Sequence, residues 1–173
     1  MLAYTVLIAL VAVERVAELV VSQRNLAWSR RHGGIEHGAR HYPVMVVLHT
    51  ALLAGCLVEA AHREFLPALG WPMLAVVVAA QGLRWWCIVT LGRQWNTRVV
   101  VVPGAGRVTG GPYRFFSHPN YVAVVVEGVA LPLVHTAWIT ALVFTALNAA
   151  LLWVRISVED KALATLGTDG RRQ

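Results

Sequence analysis

Glu14, Arg15 and Glu18 stand inside an almost unbroken apolar run near the start of the chain. The pattern recurs downstream, where His49, Arg84, Glu127, Asn148 and Arg155 each interrupt a stretch of mainly Val, Leu, Ala and Trp. Hydrocarbon solvates such groups poorly, so an ionisable side chain kept there serves a partner, a ligand or a reaction. Helical spacing groups them. Glu14 and Glu18 share a face, with Arg15 beside them, and Asn120 shares one with Glu127; Asn148, Leu152, Arg155 and Glu159 follow one another at i, i+4, i+7 and i+11. Carboxylates, guanidinium groups and amides so arranged suit the binding of a polar molecule within an apolar bundle. Each residue alone also has a structural explanation. Glu127 can pair with Arg84, and Glu14, Arg15 and Glu18 can satisfy one another near an interface, the arginine snorkelling. Singly the two explanations balance; for the set together, binding is favoured.

The elements that must position these residues are transmembrane helices. The 173 residues leave room for one domain, 1–173, and 57% of them are hydrophobic against 14% charged, with a mean hydropathy of +0.59. Soluble domains carry about a quarter charged residues. Five apolar runs approach the roughly 20 residues that a bilayer crossing needs. They are Leu2 to Val21, Tyr42 to Ala61, Trp71 to Leu91, Pro119 to Val134 and Thr136 to Ile156, the last two a C-terminal hairpin with almost no connection. The fold class expected is therefore all-α, an integral membrane bundle of about five spans. Leu66 to Gly70 reads as a turn, Pro119 as a first-turn helix residue, and Pro132 as the bend or end of span four. Met1 to Val21 lacks a basic leader and a small-residue cleavage site and carries charges, so it reads as the first span rather than a signal peptide.

Basic residues orient the bundle. Arg24, Arg30, Arg31 and Arg40 lie between spans one and two, Arg93, Arg98, Arg107 and Arg114 between spans three and four, and Lys161, Arg171 and Arg172 after span five. The opposite loops hold only Arg63, beside Glu64. This bias places the N-terminus outside and the C-terminus in the cytoplasm, across the inner membrane. The polar intramembrane residues then gather in the cytoplasmic half, leaving Glu59 and an interfacial His135 at the outer side. The net charge of +6 sits in these loops without a continuous basic face, which argues against nucleic acid and for an anionic leaflet. Cys56 and Cys87 read as buried thiols, and His32, His37 and His41 as solvated loop residues rather than a metal site. The segment Gly92 to Ser117, apolar, basic and glycine-rich, reads as an interfacial loop packed on the bundle.

Two stretches carry a family resemblance. Gly111-Pro112-Tyr113-Arg114-Phe115-Phe116-Ser117-His118-Pro119-Asn120-Tyr121 and the later Arg155-Ile156-Ser157-Val158-Glu159-Asp160-Lys161-Ala162-Leu163 resemble paired signatures of the isoprenylcysteine carboxyl methyltransferase family, in the family's order and separated by a helical hairpin. The N-terminal part, from Glu14-Arg15 through Ser22-Gln23-Arg24-Asn25 to Glu36 and His41-Tyr42-Pro43, is similar to a bacterial branch associated with type III polyketide synthases, whose members methylate alkylpyrones or alkylresorcinols on oxygen. Two positions depart from the family pattern: Ser117 stands where arginine usually precedes His-Pro, and Asp160 where a second glutamate is usual.

The resemblance implies an S-adenosylmethionine-dependent O-methyltransferase with a lipophilic small-molecule acceptor, working in the lipid bilayer. His118, Tyr121, Glu159 and Asp160 would hold the cofactor, with Tyr113 and the Gly110-Gly111 backbone as its lid. Arg155 would stabilise the reacting oxygen, Glu127 would act on the acceptor as a base or positioning group, and Glu14, Arg15 and Asn148 would contact the acceptor. No metal is required. A prenylcysteine carboxylate is the alternative acceptor. A nicotinamide-dependent membrane reductase is a rival reading, although such enzymes are usually larger. A small transporter is another, although the polar residues gather toward one face rather than at a midplane site.

Overall fold

In a computed structural model, residues 1–38 and 41–169 are described; Arg40, Arg171 and Arg172 of the basic loops lie outside them. The described residues form five helices: α1 (Leu2–Arg31), α2 (His41–Ala60), α3 (Pro67–Leu91), α4 (Pro119–Leu133) and α5 (Trp138–Asp169). Two short strands, β1 (Ile35–His37) and β2 (Val99–Val101), and 3₁₀ turns at Gly92–Gln94 and Gly111–Arg114 complete the order. The all-α membrane bundle expected from the sequence is the fold observed.

Three helices, α2, α3 and α5, are long and apolar enough to cross a bilayer by length and composition. α1 is the instructive exception. Its buried residues, Tyr4, Ile8, Val11, Glu18, Ser22, Leu26 and Ser29, recur every three, four or seven positions and form one stripe. Outward it shows Leu2, Val6, Leu10, Val13, Val16 and Val20. Charge inside and hydrocarbon outside is the reverse of a soluble helix, and it suits a helix whose solvent is lipid. α4 has 15 residues, about 22 Å of helix against a hydrocarbon core of about 30 Å. It stops next to Pro132, where a ring in place of an N–H ends the ladder.

Away from the loops, Tyr4, Ile8 and Val11 of α1 meet Leu52, Cys56 and Ala60 of α2, Val77 of α3, Ala130 and Leu131 of α4, and Phe144 of α5. Gly128 lets α4 approach α5 here, since a Cβ at that position would lie 2.2 Å from the Phe144 ring. His135 is buried against Tyr4 and Phe65, and residues 134–137 turn tightly with Thr136 at φ 57°.

The opposite end carries the polar segments. β1 and β2 pair antiparallel, Glu36 opposite Val100, and Glu36 holds Arg98 at 2.6 Å. Val99 and Val101 pack on Ala162 of α5, so the sheet fastens the α3–α4 connection to the end of α5. Three sequence expectations change here. α1 runs ten residues past Val21; α3 starts at Pro67, making helix of the expected turn; and His37 and His41 belong to β1 and the start of α2 rather than to a loop. Ladder pairing and first-turn proline account for the latter two.

Candidate active site

The intramembrane polar residues form two clusters. In the first, α1, α3 and α4 are joined through charge. Glu127 accepts from Arg84, and Arg15 reaches Glu18 at 2.9 Å and Glu127 at 3.4 Å. Gln81 accepts from Arg15 at 2.9 Å and donates to Glu14 and Glu127, and Trp85 donates to Glu14. Arg84, Glu18 and Glu127 are each less than a tenth exposed. Buried charges are tolerated when every one faces an opposite charge or a hydrogen bond, as these do.

The second cluster sits where α4 begins and α5 nears its end. Arg155 donates from Nε to the Tyr121 hydroxyl at 2.8 Å, from one terminal nitrogen to the Thr97 carbonyl at 2.5 Å, and from the other to the Met45 sulfur. Tyr121 in turn donates to Glu159. The His118 ring is stacked on Tyr121 and lies between two carboxylates, 3.7 Å from Glu159 and 3.2 Å from Asp160. The close Glu159 carboxylate, opposed by partial burial, raises the His118 pKa above the usual imidazole value. Tyr113 is also raised, by burial first and then by the neighbouring Cys87 thiol, so it stays a hydroxyl donor.

Backbone around this cluster is fixed from α1. Asn25 donates to the carbonyls of Gly92 and Trp95, and the Ser22 hydroxyl receives the Thr97 amide at 3.0 Å. The extension of α1 beyond its apolar run thus holds the segment whose Thr97 carbonyl holds Arg155. Gly111, at φ 53°, packs its 3₁₀ turn so closely on α3 that a Cβ there would lie 2.6 Å from the Thr90 hydroxyl.

Two cavities meet at Arg155. A rim chamber of about 150 Å³ is lined by the valines of β2 with Tyr113, Ser117, His118 and Glu159. A core chamber of about 160 Å³ lies between α1, α2, α4 and α5, with Leu19, Met45, His49, Leu53, Asn148 and Leu152 among its walls and Arg15, Glu18 and Arg84 toward the charged cluster. Trp95, Asn96, Asn120, Tyr121 and Arg155 line both and form the partition. The Asn120 carbonyl oxygen in that partition is buried without a partner.

Of the residues singled out from the sequence, the structure brings Tyr113, His118, Tyr121, Arg155 and Glu159 to the rim chamber, with Asp160 on His118. Arg15 and Asn148 line the core chamber. Glu14 and Glu127 line neither; both are engaged in the charged cluster. Gly111 sits on α3 beside Tyr113. Sequence reasoning missed Gln81, Thr97 and Asn25. Gln81 carried a usable signal, an amide three residues before Arg84 in an apolar span; Thr97 acts through its carbonyl, which no residue type announces.

Residues 73–165 match the sequence profile described as the Isoprenylcysteine carboxyl methyltransferase (ICMT) family. The chain belongs to that family. It is thus one of a family of membrane methyltransferases, whose methyl donor is S-adenosylmethionine. Among similar proteins is the uncharacterized protein YpbQ of Bacillus subtilis (strain 168), 38% identical over 161 residues, which cover 92% of this chain and 96% of YpbQ. An uncharacterized protein of Haemophilus influenzae is 25% identical over 136 residues, covering 78% of this chain and 79% of its own. The family match spans both clusters from α3 onward. α1, α2 and the first six residues of α3 precede it.

Proposed function

We propose that this chain transfers a methyl group from S-adenosylmethionine to an oxygen of a lipophilic acceptor, an alkylpyrone- or alkylresorcinol-type hydroxyl. The observation that carries the reading is the position of Arg155. It borders both chambers, and three of its five N–H groups are taken by Tyr121, Thr97 and Met45. One N–H on each terminal nitrogen remains, a pair suited to an oxyanion presented at the partition.

The rim chamber's residues fit the donor. S-adenosylmethionine, when bound, supplies an electrophilic methyl on a sulfonium centre. Glu159 offers a carboxylate to its cationic groups, with Asp160 adding negative charge from beside His118, Asn120 offers an unmatched carbonyl, Tyr113 offers a hydroxyl, and the valines of β2 offer an apolar wall. Arg155 then steadies the acceptor oxygen as an anion, electrostatic help that is strong where water is excluded. Glu127, Glu14 and Arg15 act on the acceptor side through the charged cluster that borders the core chamber. Basic loops at the β1–β2 end support a cytoplasmic active site, N-terminus outside and C-terminus inside, in the inner membrane.

The test is binding and turnover of detergent-purified protein. S-adenosylhomocysteine is expected to bind, and His118→Ala or Glu159→Ala to weaken it. Arg155→Ala should retain binding within a few-fold while transfer falls by about 10²–10³. Binding of a nicotinamide cofactor without S-adenosylhomocysteine binding would overturn the proposal.

A further inference from the structure

Asn148 is 2% exposed, and its carbonyl oxygen has no hydrogen-bond partner. Buried side-chain amides are nearly always matched, so an unmatched one in a cavity wall points to a ligand. It lines the core chamber on the same face of α5 as Arg155, seven residues earlier, which is about 10 Å along the helix axis. Leu151 and Leu152 of α5, with Met45 and Val124, give the same chamber a mainly apolar lining. The helices thus hold two polar positions apart in a mainly apolar chamber, one cationic and one an amide.

We propose that Asn148 determines acceptor specificity by hydrogen-bonding a second polar group, on the side of the acceptor's head remote from the oxygen presented to Arg155. This rests on the methyltransferase reading and narrows it. An acceptor whose head carries a second polar function satisfies the Asn148 amide. A chain with one terminal carboxylate and only hydrocarbon or thioether beyond it leaves Asn148 unmatched.

Two probes separate the possibilities: 5-pentadecylbenzene-1,3-diol and 3-pentadecylphenol, which differ by the second hydroxyl. Full-length protein in detergent is assayed with radiolabelled S-adenosylmethionine, and S-adenosylhomocysteine affinity is measured in parallel. Wild type should favour the diol in kcat/KM by about tenfold or more, because the site is built to bond the second group. Asn148→Leu should bring that ratio near one, chiefly by lowering turnover of the diol, while S-adenosylhomocysteine affinity is kept. Asn148→Ala repeats the test if leucine is not accommodated, as loss of S-adenosylhomocysteine binding would reveal. Equal turnover of the two probes by wild type, or an unchanged ratio in a variant that binds S-adenosylhomocysteine, overturns the role of Asn148 and leaves methyl transfer standing. Turnover of neither probe despite S-adenosylhomocysteine binding removes the hydroxyl acceptor and this inference together; absence of binding removes the methyltransferase reading itself.

Discussion

His118 is the residue whose surroundings do most to its chemistry. An imidazole stacked on Tyr121 with carboxylates at both nitrogens is stabilised in its charged form, and its pKa is raised accordingly. The sign of the pH effect follows. The folded protein binds the His118 proton more tightly than the unfolded chain, so the stabilisation is complete below the free imidazole value of about 6.5. It is lost as pH rises through the raised folded value. Thermal unfolding in detergent should therefore show wild type losing stability relative to His118→Gln as pH is raised from about 6 upward. A constant difference across that range would mean that the two carboxylates do not hold the proton. At this scale much of the site was legible. His118, Tyr121, Arg155 and Glu159 belong to two motifs far apart in sequence, and the chemistry of their types matches the contacts found. The links that fix them were not legible, because Thr97 contributes a carbonyl.

Elements carry the next level of control. The apolar run of α1 marks where hydrocarbon ends, and hydropathy alone ends the span at Val21. The helix continues to Arg31 because Ser22, Leu26 and Ser29 extend the same buried stripe, a periodicity that composition hides. Strands β1 and β2 have three residues each, too short for alternation to show, and their pairing joins residues more than sixty positions apart. That extension of α1 has a functional consequence. Asn25 ties Gly92 and Trp95, and Ser22 ties Thr97, so α1 sets the backbone on which Arg155 leans. Asn25→Ala removes two hydrogen bonds at a residue that lines neither chamber. Transfer should fall by about tenfold, because misplacing a positioned group by a fraction of an ångström is costly to rate. Thermal stability should drop by about 1–2 kcal/mol. Equal losses in Asn25→Ala and Arg155→Ala would place Asn25 at the reacting atoms instead.

At the scale of the whole molecule, the charged cluster joins α1, α3 and α4 a second time, beside the apolar core that they share. It contains three carboxylates, Glu14, Glu18 and Glu127, and two guanidinium groups, Arg15 and Arg84. With all five ionised the carboxylates are in excess, so the two arginines are the scarcer charge. Arg84 touches both Glu18 and Glu127 and is 4% exposed. Arg84→Met would leave three carboxylates against one arginine in a medium that cannot screen them. Such an uncompensated loss costs on the order of 3–5 kcal/mol. Glu127→Gln instead leaves two against two and keeps an acceptor oxygen for Arg84, so its cost should be well below half of that. Unfolding of both variants in one detergent measures the difference directly. Equal destabilisation would show that shape rather than charge balance holds the three helices, and would free Glu127 for a direct role toward the acceptor. A mild Glu127→Gln whose methyl transfer nevertheless collapses would point the same way, because a residue serving only the bundle affects turnover through stability alone.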